Sequence, residues 1–144
     1  VVCEGSGSPV ELNLKGREIA NMRMVRERGI PSVIVGDIER GGVFAAIYGT
    51  WKLIPEEDRR YLRGFVINRF RGDISVLYPG IEELESITGM RCFGVIPYAD
   101  LRVPEEYTSV SEVSCREGLV SLDELLSACR DSVDLDGMLR ISGT

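Results

Sequence analysis

The chain has 144 residues, with 17 Lys and Arg against 23 Asp and Glu and a net charge of −6. This length is enough for one domain with a buried core, and the acidic balance argues against a protein that coats nucleic acid through a basic surface. The sequence contains no His, which excludes Ser-His-Asp or Cys-His catalysis and an HExxH zinc site within this chain. Lys15 and Lys52 are the only lysines, and neither lies in a GxxxxGK[ST] phosphate loop. Any chemistry here must rest on carboxylates, amides, Arg, backbone N–H groups and a metal.

Short apolar runs rich in Val and Ile predict four strands. Continuous apolar runs are typical of strands covered on both faces, as in a parallel sheet. Because the first run begins at residue 1, the sequence favours a chain that is part of a longer protein. The predicted strands are Val1–Cys3 (the end of a strand), Pro31–Ile38, Gly64–Phe70 and Arg91–Tyr98.

Helical patterns fill the gaps between these runs. Apolar residues recur on one face of each segment, and a Gly follows the first and the third. The alternation of strands and helices predicts a doubly wound α/β fold, with a mostly parallel sheet and helices on both faces. The helices and their inward residues are Glu18–Arg28 (Ile19, Met22, Val25), Val43–Lys52 (Val43, Ile47, Trp51) and Pro79–Thr88 (Ile81, Leu84, Ile87 or Thr88).

The remainder of the chain divides into two parts. Residues 99–118 are polar and rich in Pro, Glu and Ser, which predicts a loop or linker. Residues 119–144 open with a capping box at Ser121–Glu124 and continue as apolar stripes, which predicts a helical segment that covers one sheet edge. The stripes are Leu122, Leu125, Leu126 and Cys129, then Leu135, Met138 and Leu139.

Cysteine spacing and hydropathy indicate the compartment. The four Cys lie far apart and form no CxxC pair, which favours reduced thiols in a cytoplasmic protein over a zinc ribbon or a disulfide scaffold. No apolar run approaches the ~20 residues that a membrane-spanning helix needs.

The unusual polar segments all follow predicted strands, at the edge where α/β sheets bind ligands. Glu4 can serve as one of the few protein ligands of Mg²⁺, and Gly5 and Gly7 allow backbone N–H groups to approach an anion. Gly41 and Gly42 precede a helix, whose N-terminus binds carboxylate or phosphate without Lys, and Arg40 can clamp the same anion. The amide of Asn68 suits the edge of a purine.

Each of these residues also has a structural explanation. Asp37–Gly42 can be an ordinary cap and loop, Asn68 can cap a turn, and Arg69 and Arg71 can be solvated. Convergence on one cleft favours the functional interpretation.

Four strings together resemble the cobyric acid synthase family, among the dethiobiotin-synthetase-like enzymes that form amides with ATP. They cover residues 1 to about 98, and from Asp100 onward the resemblance is weak. The resemblance implies that residues 1–98 are the central and C-terminal part of a synthetase domain of the phosphate-loop NTPase class. The strings are EGSGSP with ELNL (Glu4–Leu14), DIERGGVFA (Asp37–Ala45), FVINRFRGD (Phe65–Asp73) and GVIPY (Gly94–Tyr98).

The resemblance implies a glutamine amidotransferase and ligase of cobalamin biosynthesis that amidates adenosylcobyrinic acid a,c-diamide with ATP and Mg²⁺. It implies that Glu4 binds Mg²⁺ and is catalytic together with Asp37, and that Asn68, Arg69 and Pro97 bind the nucleotide. The residues that it places against the corrinoid are Gly5, Ser6, Gly7, Ser8, Asn13, Arg40, Gly41 and Gly42.

Two parts of that family are missing from this sequence, namely the Lys-bearing phosphate loop and a glutaminase domain that uses Cys and His and delivers ammonia from glutamine. We therefore expect the isolated chain to be inactive. A binding module that has lost nucleotide chemistry stays open, as does a related enzyme such as cobyrinic acid a,c-diamide synthase or dethiobiotin synthetase. The resemblance implies neither a nucleic acid nor a membrane partner, and it leaves a homodimer open.

Overall fold

The computed structural model describes residues 1–14, 19–99 and 122–143. In these residues three parallel strands form one sheet in the order β1-β2-β3, with helices before, between and after them. The α/β fold predicted from the sequence is therefore confirmed. No helix of this described part is long and apolar enough to cross a membrane. The elements are α1 (Met22–Arg28), β1 (Ser32–Asp37), α2 (Val43–Leu53), β2 (Leu62–Phe70), α3 (Tyr78–Thr88), β3 (Arg91–Pro97), α4 (Leu122–Ser132) and α5 (Leu135–Ile141).

The central strand β2 shows why the apolar runs form this sheet. It pairs in parallel with β1 on one side and β3 on the other, and its successive residues Phe65, Val66 and Ile67, which point to alternate faces of the sheet, are all buried. A strand covered on both faces needs an unbroken apolar sequence rather than an alternating one. The three strand predictions that begin at Pro31, Gly64 and Arg91 agree with the structure to within two residues at each end.

The strand predicted at Val1–Cys3 is wrong for this structure. These residues form no regular secondary structure, and Val1 and Val2 are fully exposed. A strand is stable only when a neighbouring strand satisfies its backbone N–H and C=O groups, and the described residues provide no such neighbour for this segment.

Helix α2 lies against β1 because Gly36 leaves room for it. A Cβ atom on Gly36 would stand 2.7 Å from Val43 Cγ2 and 2.9 Å from Ile47 Cδ1. Both side chains are buried in the core, as the apolar spacing of this helix predicts. This close approach fixes where α2 begins, directly after the loop that follows β1.

Helix α1 is shorter than its sequence pattern predicts. It begins at Met22, which is buried, and it ends at Gly29, whose φ of 66° is the left-handed cap that the sequence indicates. Ile19 precedes the helix and is 67 % exposed, so its assignment to the inward face is wrong. Residues 15–18 lie outside the described part, so the start predicted at Glu18 is not among the described residues.

Helix α3 confirms the predicted inward positions Ile81 and Leu84, which are buried. Of the two residues proposed for its last inward position, Thr88 is half-buried and Ile87 is 51 % exposed. The Thr88 hydroxyl donates a 2.6 Å hydrogen bond to the Leu84 carbonyl oxygen, so the inward position belongs to Thr88.

Helices α4 and α5 lie against the edge strand β3. The Asp134 N–H donates a 2.7 Å hydrogen bond to the Phe93 carbonyl oxygen, and Gly94 forms an antiparallel bridge with Val133. A Cβ atom on Gly94 would stand 2.0 Å from the Ser132 carbonyl oxygen, so this junction requires a glycine. Three residues of the apolar stripes that were predicted to cover the sheet edge, Leu126, Leu135 and Leu139, instead remain more than 40 % exposed. Ser121 of the predicted capping box and residues 100–118 of the predicted linker lie outside the described part.

An ion pair at the amino end of the sheet orients α1. Arg26 Nη1 lies 2.6 Å from Oδ2 of the buried Asp58, in the 3-10 segment Glu56–Tyr61 that leads into β2. The last turn of α1 is therefore at the amino edge of the sheet.

Candidate functional site at the carboxyl edge of the sheet

The segments that follow β1, β2 and β3 meet at the carboxyl edge. Asp37 is the register partner of Asn68, and the Ile38 N–H donates a 3.1 Å hydrogen bond to the Asn68 carbonyl oxygen. On the other side of β2, the Tyr98 N–H donates a 2.7 Å hydrogen bond to the Phe70 carbonyl oxygen. The structure thus brings together the polar segments that the sequence places after its second, third and fourth predicted strands.

Strand β2 is distorted where it reaches this edge. Arg69 has a φ of 65° and is the only non-glycine residue of the described part with a positive φ. The ladder with β3 is irregular between Ile67 and Phe70, and the Asn68 Oδ1 atom accepts a 2.9 Å hydrogen bond from the Arg69 N–H. The left-handed conformation costs a non-glycine residue about 1–2 kcal/mol, and such distortions are concentrated at functional sites, where they redirect side chains.

Five charged side chains form what we call the strand-end ion network: Asp37, Glu39, Arg40, Arg69 and Arg71. Arg69 Nη1 lies 3.3 Å from Asp37 Oδ2 and 3.3 Å from Glu39 Oε2, and Arg71 Nη2 lies 3.3 Å from Glu39 Oε1. Arg40 is 87 % exposed, and its Nε is 3.9 Å from Asp37 Oδ2. Three guanidinium groups face two carboxylates, so the network carries excess positive charge and attracts anions.

Asp37, predicted to be catalytic, organises the loop after β1. Its Oδ1 accepts a 2.9 Å hydrogen bond from the Glu39 N–H, and its Oδ2 contacts Arg69. Both carboxylate oxygens are thus engaged by the protein. This geometry suits a side chain that holds the loop in shape.

Gly41 and Gly42 give this loop the turn that starts α2. Their φ angles are 77° and 68°, in the left-handed region where glycine is favoured, and the Gly41 N–H donates a 2.9 Å hydrogen bond to the Ile38 carbonyl oxygen. Gly42 is the N-cap of α2 and provides no side-chain cap. The first N–H groups of a helix attract carboxylates and phosphates, and here Arg40 belongs to the loop that leads directly into them.

A cleft of about 620 Å³ opens beyond the ends of β2 and β3. The Arg71 guanidinium covers the Tyr98 ring at 3.2 Å from its centroid. Asp73 Oδ1 accepts a 2.9 Å hydrogen bond from the Ser75 N–H, and this bond holds the pKa of Asp73 below its ordinary value. The cleft therefore presents a positive guanidinium, a negative carboxylate and an aromatic ring, those of Arg71, Asp73 and Tyr98. The lining residues are Phe70–Ile74, Val95, Pro97, Tyr98 and Ser132.

The predicted site residues near the start of the chain form a separate group. The Asn21 side-chain amide donates hydrogen bonds of 2.9 Å to the Ser6 carbonyl oxygen and 3.3 Å to the Ser8 carbonyl oxygen. A Cβ atom on Gly5 would stand 1.6 Å from Asn21 Oδ1, so Gly5 is required for this approach. Gly7 adopts a φ of 68°. In the described part, no hydrogen bond or ion pair joins this segment to the strand-end ion network.

Glu4 and Asn13, predicted to bind Mg²⁺ and the corrinoid, are both exposed. The described part of the chain contains no group of three or more Cys, Asp or Glu residues that could hold a metal ion. Glu4 therefore offers a single carboxylate. That number is compatible with Mg²⁺, which usually takes one or two protein carboxylates and completes its shell with water and phosphate oxygens.

Two residues gain a place in the site that sequence reasoning did not give them. Glu39 contacts two arginines of the network, and Tyr98 forms a wall of the cleft. Both lie at or directly after the end of a predicted strand, so their place in the sequence was the feature that could have identified them. Their contacts depend on the distortion at Arg69, which the apolar pattern of β2 does not reveal.

A parallel sheet with helices, an anion-attracting loop and a cleft beyond its carboxyl ends places this chain among the open α/β proteins, which bind ligands at that edge. Comparison with known proteins is more specific. The chain is 50 % identical over 114 residues to a cobyric acid synthase from Mesorhizobium japonicum, which covers 78 % of this chain and 23 % of that protein. It is 53 % identical over 106 residues to a cobyric acid synthase from Listeria innocua, covering 74 % and 21 % of the two chains.

A cobyric acid synthase from Cutibacterium acnes is 50 % identical over 98 residues, or 68 % of this chain and 20 % of that protein. The resemblance to cobyric acid synthase is therefore confirmed. The chain spans about a fifth of the length of the curated relatives that it matches. No family model matches the chain, and no solved structure does.

Proposed function

We propose that this chain contributes the substrate-facing part of the synthetase site of a cobyric acid synthase. In this proposal the enzyme uses ATP, and ammonia from glutamine, to convert carboxylate side chains of adenosylcobyrinic acid a,c-diamide into amides. The observation that carries the proposal is the identity of 50–53 % to proteins named cobyric acid synthase. Those names favour this enzyme over cobyrinic acid a,c-diamide synthase or dethiobiotin synthetase.

The chemistry proceeds in two steps. A carboxylate oxygen of the corrinoid attacks the γ-phosphorus of ATP, ADP leaves, and an acyl phosphate forms. Ammonia then attacks the acyl carbon, phosphate leaves, and the nitrogen loses a proton to give the amide. Both steps move negative charge between oxygens, so the chain contributes mainly by holding anions in place.

The loop after β1 is the proposed carboxylate site. The first N–H groups of α2 follow Gly41 and Gly42, and Arg40, whose guanidinium is exposed, precedes this pair in the same loop. Arg69 stays bound to Asp37 and Glu39, so Arg40 is the guanidinium most accessible to a ligand. Gly5–Ser8 and Asn13 are proposed to face the same substrate.

The cleft beyond β2 and β3 is the proposed base site of the nucleotide. Asn68, Arg69 and Pro97 are proposed to bind the nucleotide. Pro97 and Tyr98 line the cleft, and Asn68 and Arg69 directly precede its lining residue Phe70 on β2. Glu4 is the proposed ligand of Mg²⁺, which would neutralise charge on the phosphates when bound. A cytoplasmic location fits this biosynthetic role.

Binding of the corrinoid tests the carboxylate site. Equilibrium dialysis of the 144-residue chain with adenosylcobyrinic acid a,c-diamide, read by the absorbance of the corrinoid, should show about a tenfold higher Kd for Arg40→Gln, since a charge-assisted hydrogen bond is lost. Arg63→Gln is the matched control, because Arg63 is an exposed arginine at the opposite end of β2.

Equal affinity of the two variants would refute the carboxylate site. Binding of the corrinoid without any affinity for adenine nucleotides would favour the non-catalytic binding module. Amidation of the corrinoid by the isolated chain with ATP, Mg²⁺ and added ammonia would contradict the expectation that this chain is inactive by itself.

A further inference from the structure

Glu39 connects the two halves of the candidate site. It lies in the loop after β1, and each of its carboxylate oxygens contacts a different arginine of β2 or its extension. Oε2 is 3.3 Å from Arg69 Nη1, and Oε1 is 3.3 Å from Arg71 Nη2. Arg69 has a second carboxylate partner in Asp37. In the described part of the chain, Glu39 is the only carboxylate that contacts Arg71.

Arg71 in turn forms part of the cleft. Its guanidinium covers the Tyr98 ring, and both residues line the cavity. The backbone of Tyr98 is fixed by its hydrogen bond to Phe70. Arg71 is 60 % exposed, so one exposed stacking contact, which is a weak interaction, is not enough to hold its long side chain in a single rotamer.

We propose that Glu39 is a positioning residue, which holds Arg71 against Tyr98 so that the substrate-facing loop fixes one wall of the nucleotide-base cleft. This inference rests on the proposed function for the identity of the ligand. Glu39 itself touches no ligand in the proposal and acts through Arg71. Paired with Glu39, the Arg71 guanidinium stays stacked on the Tyr98 ring, and the two side chains together form one wall of the cleft.

The first arm of the test measures the position of Arg71 without ligand. In the parent chain, the ring current of Tyr98 should shift the Arg71 Nε–Hε NMR signal away from its solvated position. Glu39→Gln keeps the size of the side chain and removes its charge, so we expect this signal to move to the solvated position. Glu83→Gln is the matched control, because Glu83 is exposed on α3, and it should leave the signal unchanged.

The second arm measures binding of adenosine 5′-monophosphate by NMR titration, which detects weak affinities. Glu39→Gln should raise the Kd about fivefold, the equivalent of one surface ion pair, and Glu83→Gln should not. In an Arg71→Gln background, Glu39→Gln should have no further effect, because a residue that acts only through Arg71 loses its role when Arg71 is gone.

The outcomes separate this inference from the function on which it rests. An Arg71 signal that Glu39→Gln leaves unchanged would refute the positioning role, whatever the ligand. An undiminished effect of Glu39→Gln in the Arg71→Gln background would refute action through Arg71. Failure of the parent chain to bind the nucleotide would refute the base cleft, and with it the role of Glu39 in binding, even if Arg71 moves as expected.

Discussion

Replacing Gly36 by Ala tests how closely α2 is held against β1. The added Cβ atom would stand 2.7 Å from Val43 Cγ2 and 2.9 Å from Ile47 Cδ1. Carbon atoms in contact prefer ~3.5–4.0 Å, so α2 must move outward. Both neighbours are buried, at 3 % and 1 % exposed, and cannot turn into solvent. Overpacking of this kind costs about 1–3 kcal/mol, so Gly36→Ala should lower the free energy of unfolding by that amount.

Gly49→Ala is the matched control on the same helix. A Cβ atom on Gly49 meets no atom within 4 Å, and Ala is favoured over Gly inside a helix by about 0.5–1 kcal/mol. Urea unfolding followed by circular dichroism and by the fluorescence of Trp51 measures both variants. The m-value should stay constant if only the native state changes. A Gly36→Ala chain as stable as the parent would refute the close approach of α2 that places the loop at the site.

Three further predictions concern the site and its surroundings. Arg69→Gly relieves the left-handed backbone, so stability should change by less than about 1 kcal/mol while binding of adenosine 5′-monophosphate weakens; strong destabilisation would contradict this. Hydrogen bonding from the Gly137 N–H, with smaller contributions from arginines, lowers the pKa of Asp134 below 3.8. The ionised Asp134 carboxylate therefore stabilises the fold fully at pH values above its ordinary pKa, and this stabilisation is lost as the pH falls through the lowered pKa. The free energies of unfolding of Asp134→Ala and the parent, measured by urea titration, should converge at low pH. Burial raises the pKa of the Cys92 thiol, so mass spectrometry should find it alkylated more slowly than the exposed Cys3 at pH 8, and equal rates would contradict its burial.

The sequence predicts the strands and helices of this fold where tertiary packing agrees with local pattern. Gly64–Phe70 forms a strand because its unbroken apolar run is covered by other elements. Pro31–Ile38 and Arg91–Tyr98 form the strands that pair with it on either side, although Val35 of the first stays 63 % exposed. Val1–Cys3 has the same kind of sequence but forms no strand, because the described residues offer it no partner. Ile19 matches the helical period of α1 but lies outside the helix, since apolar spacing does not determine where a helix begins.

The site is predictable in its location but not in its contacts. That Asp37, Asn68 and Pro97 share one edge follows from the parallel order of the strands. The role of Glu39 does not, because it depends on the left-handed conformation of Arg69 in the middle of a sequence that reads as a continuous strand. No local pattern indicates that distortion, which becomes visible only when the three strand ends lie side by side.

We propose that the carboxyl edge of the sheet binds a carboxylate-bearing corrinoid and an adenine nucleotide next to each other. Mapping of backbone ¹⁵N–¹H NMR signals on titration of the 144-residue chain with each ligand tests it most directly. Adenosylcobyrinic acid a,c-diamide should shift the signals of Asp37–Gly42, and adenosine 5′-monophosphate those of Phe70–Ile74 and Tyr98. Shifts confined to Glu56–Tyr61 at the opposite edge, or no shifts at saturating ligand, would contradict the account.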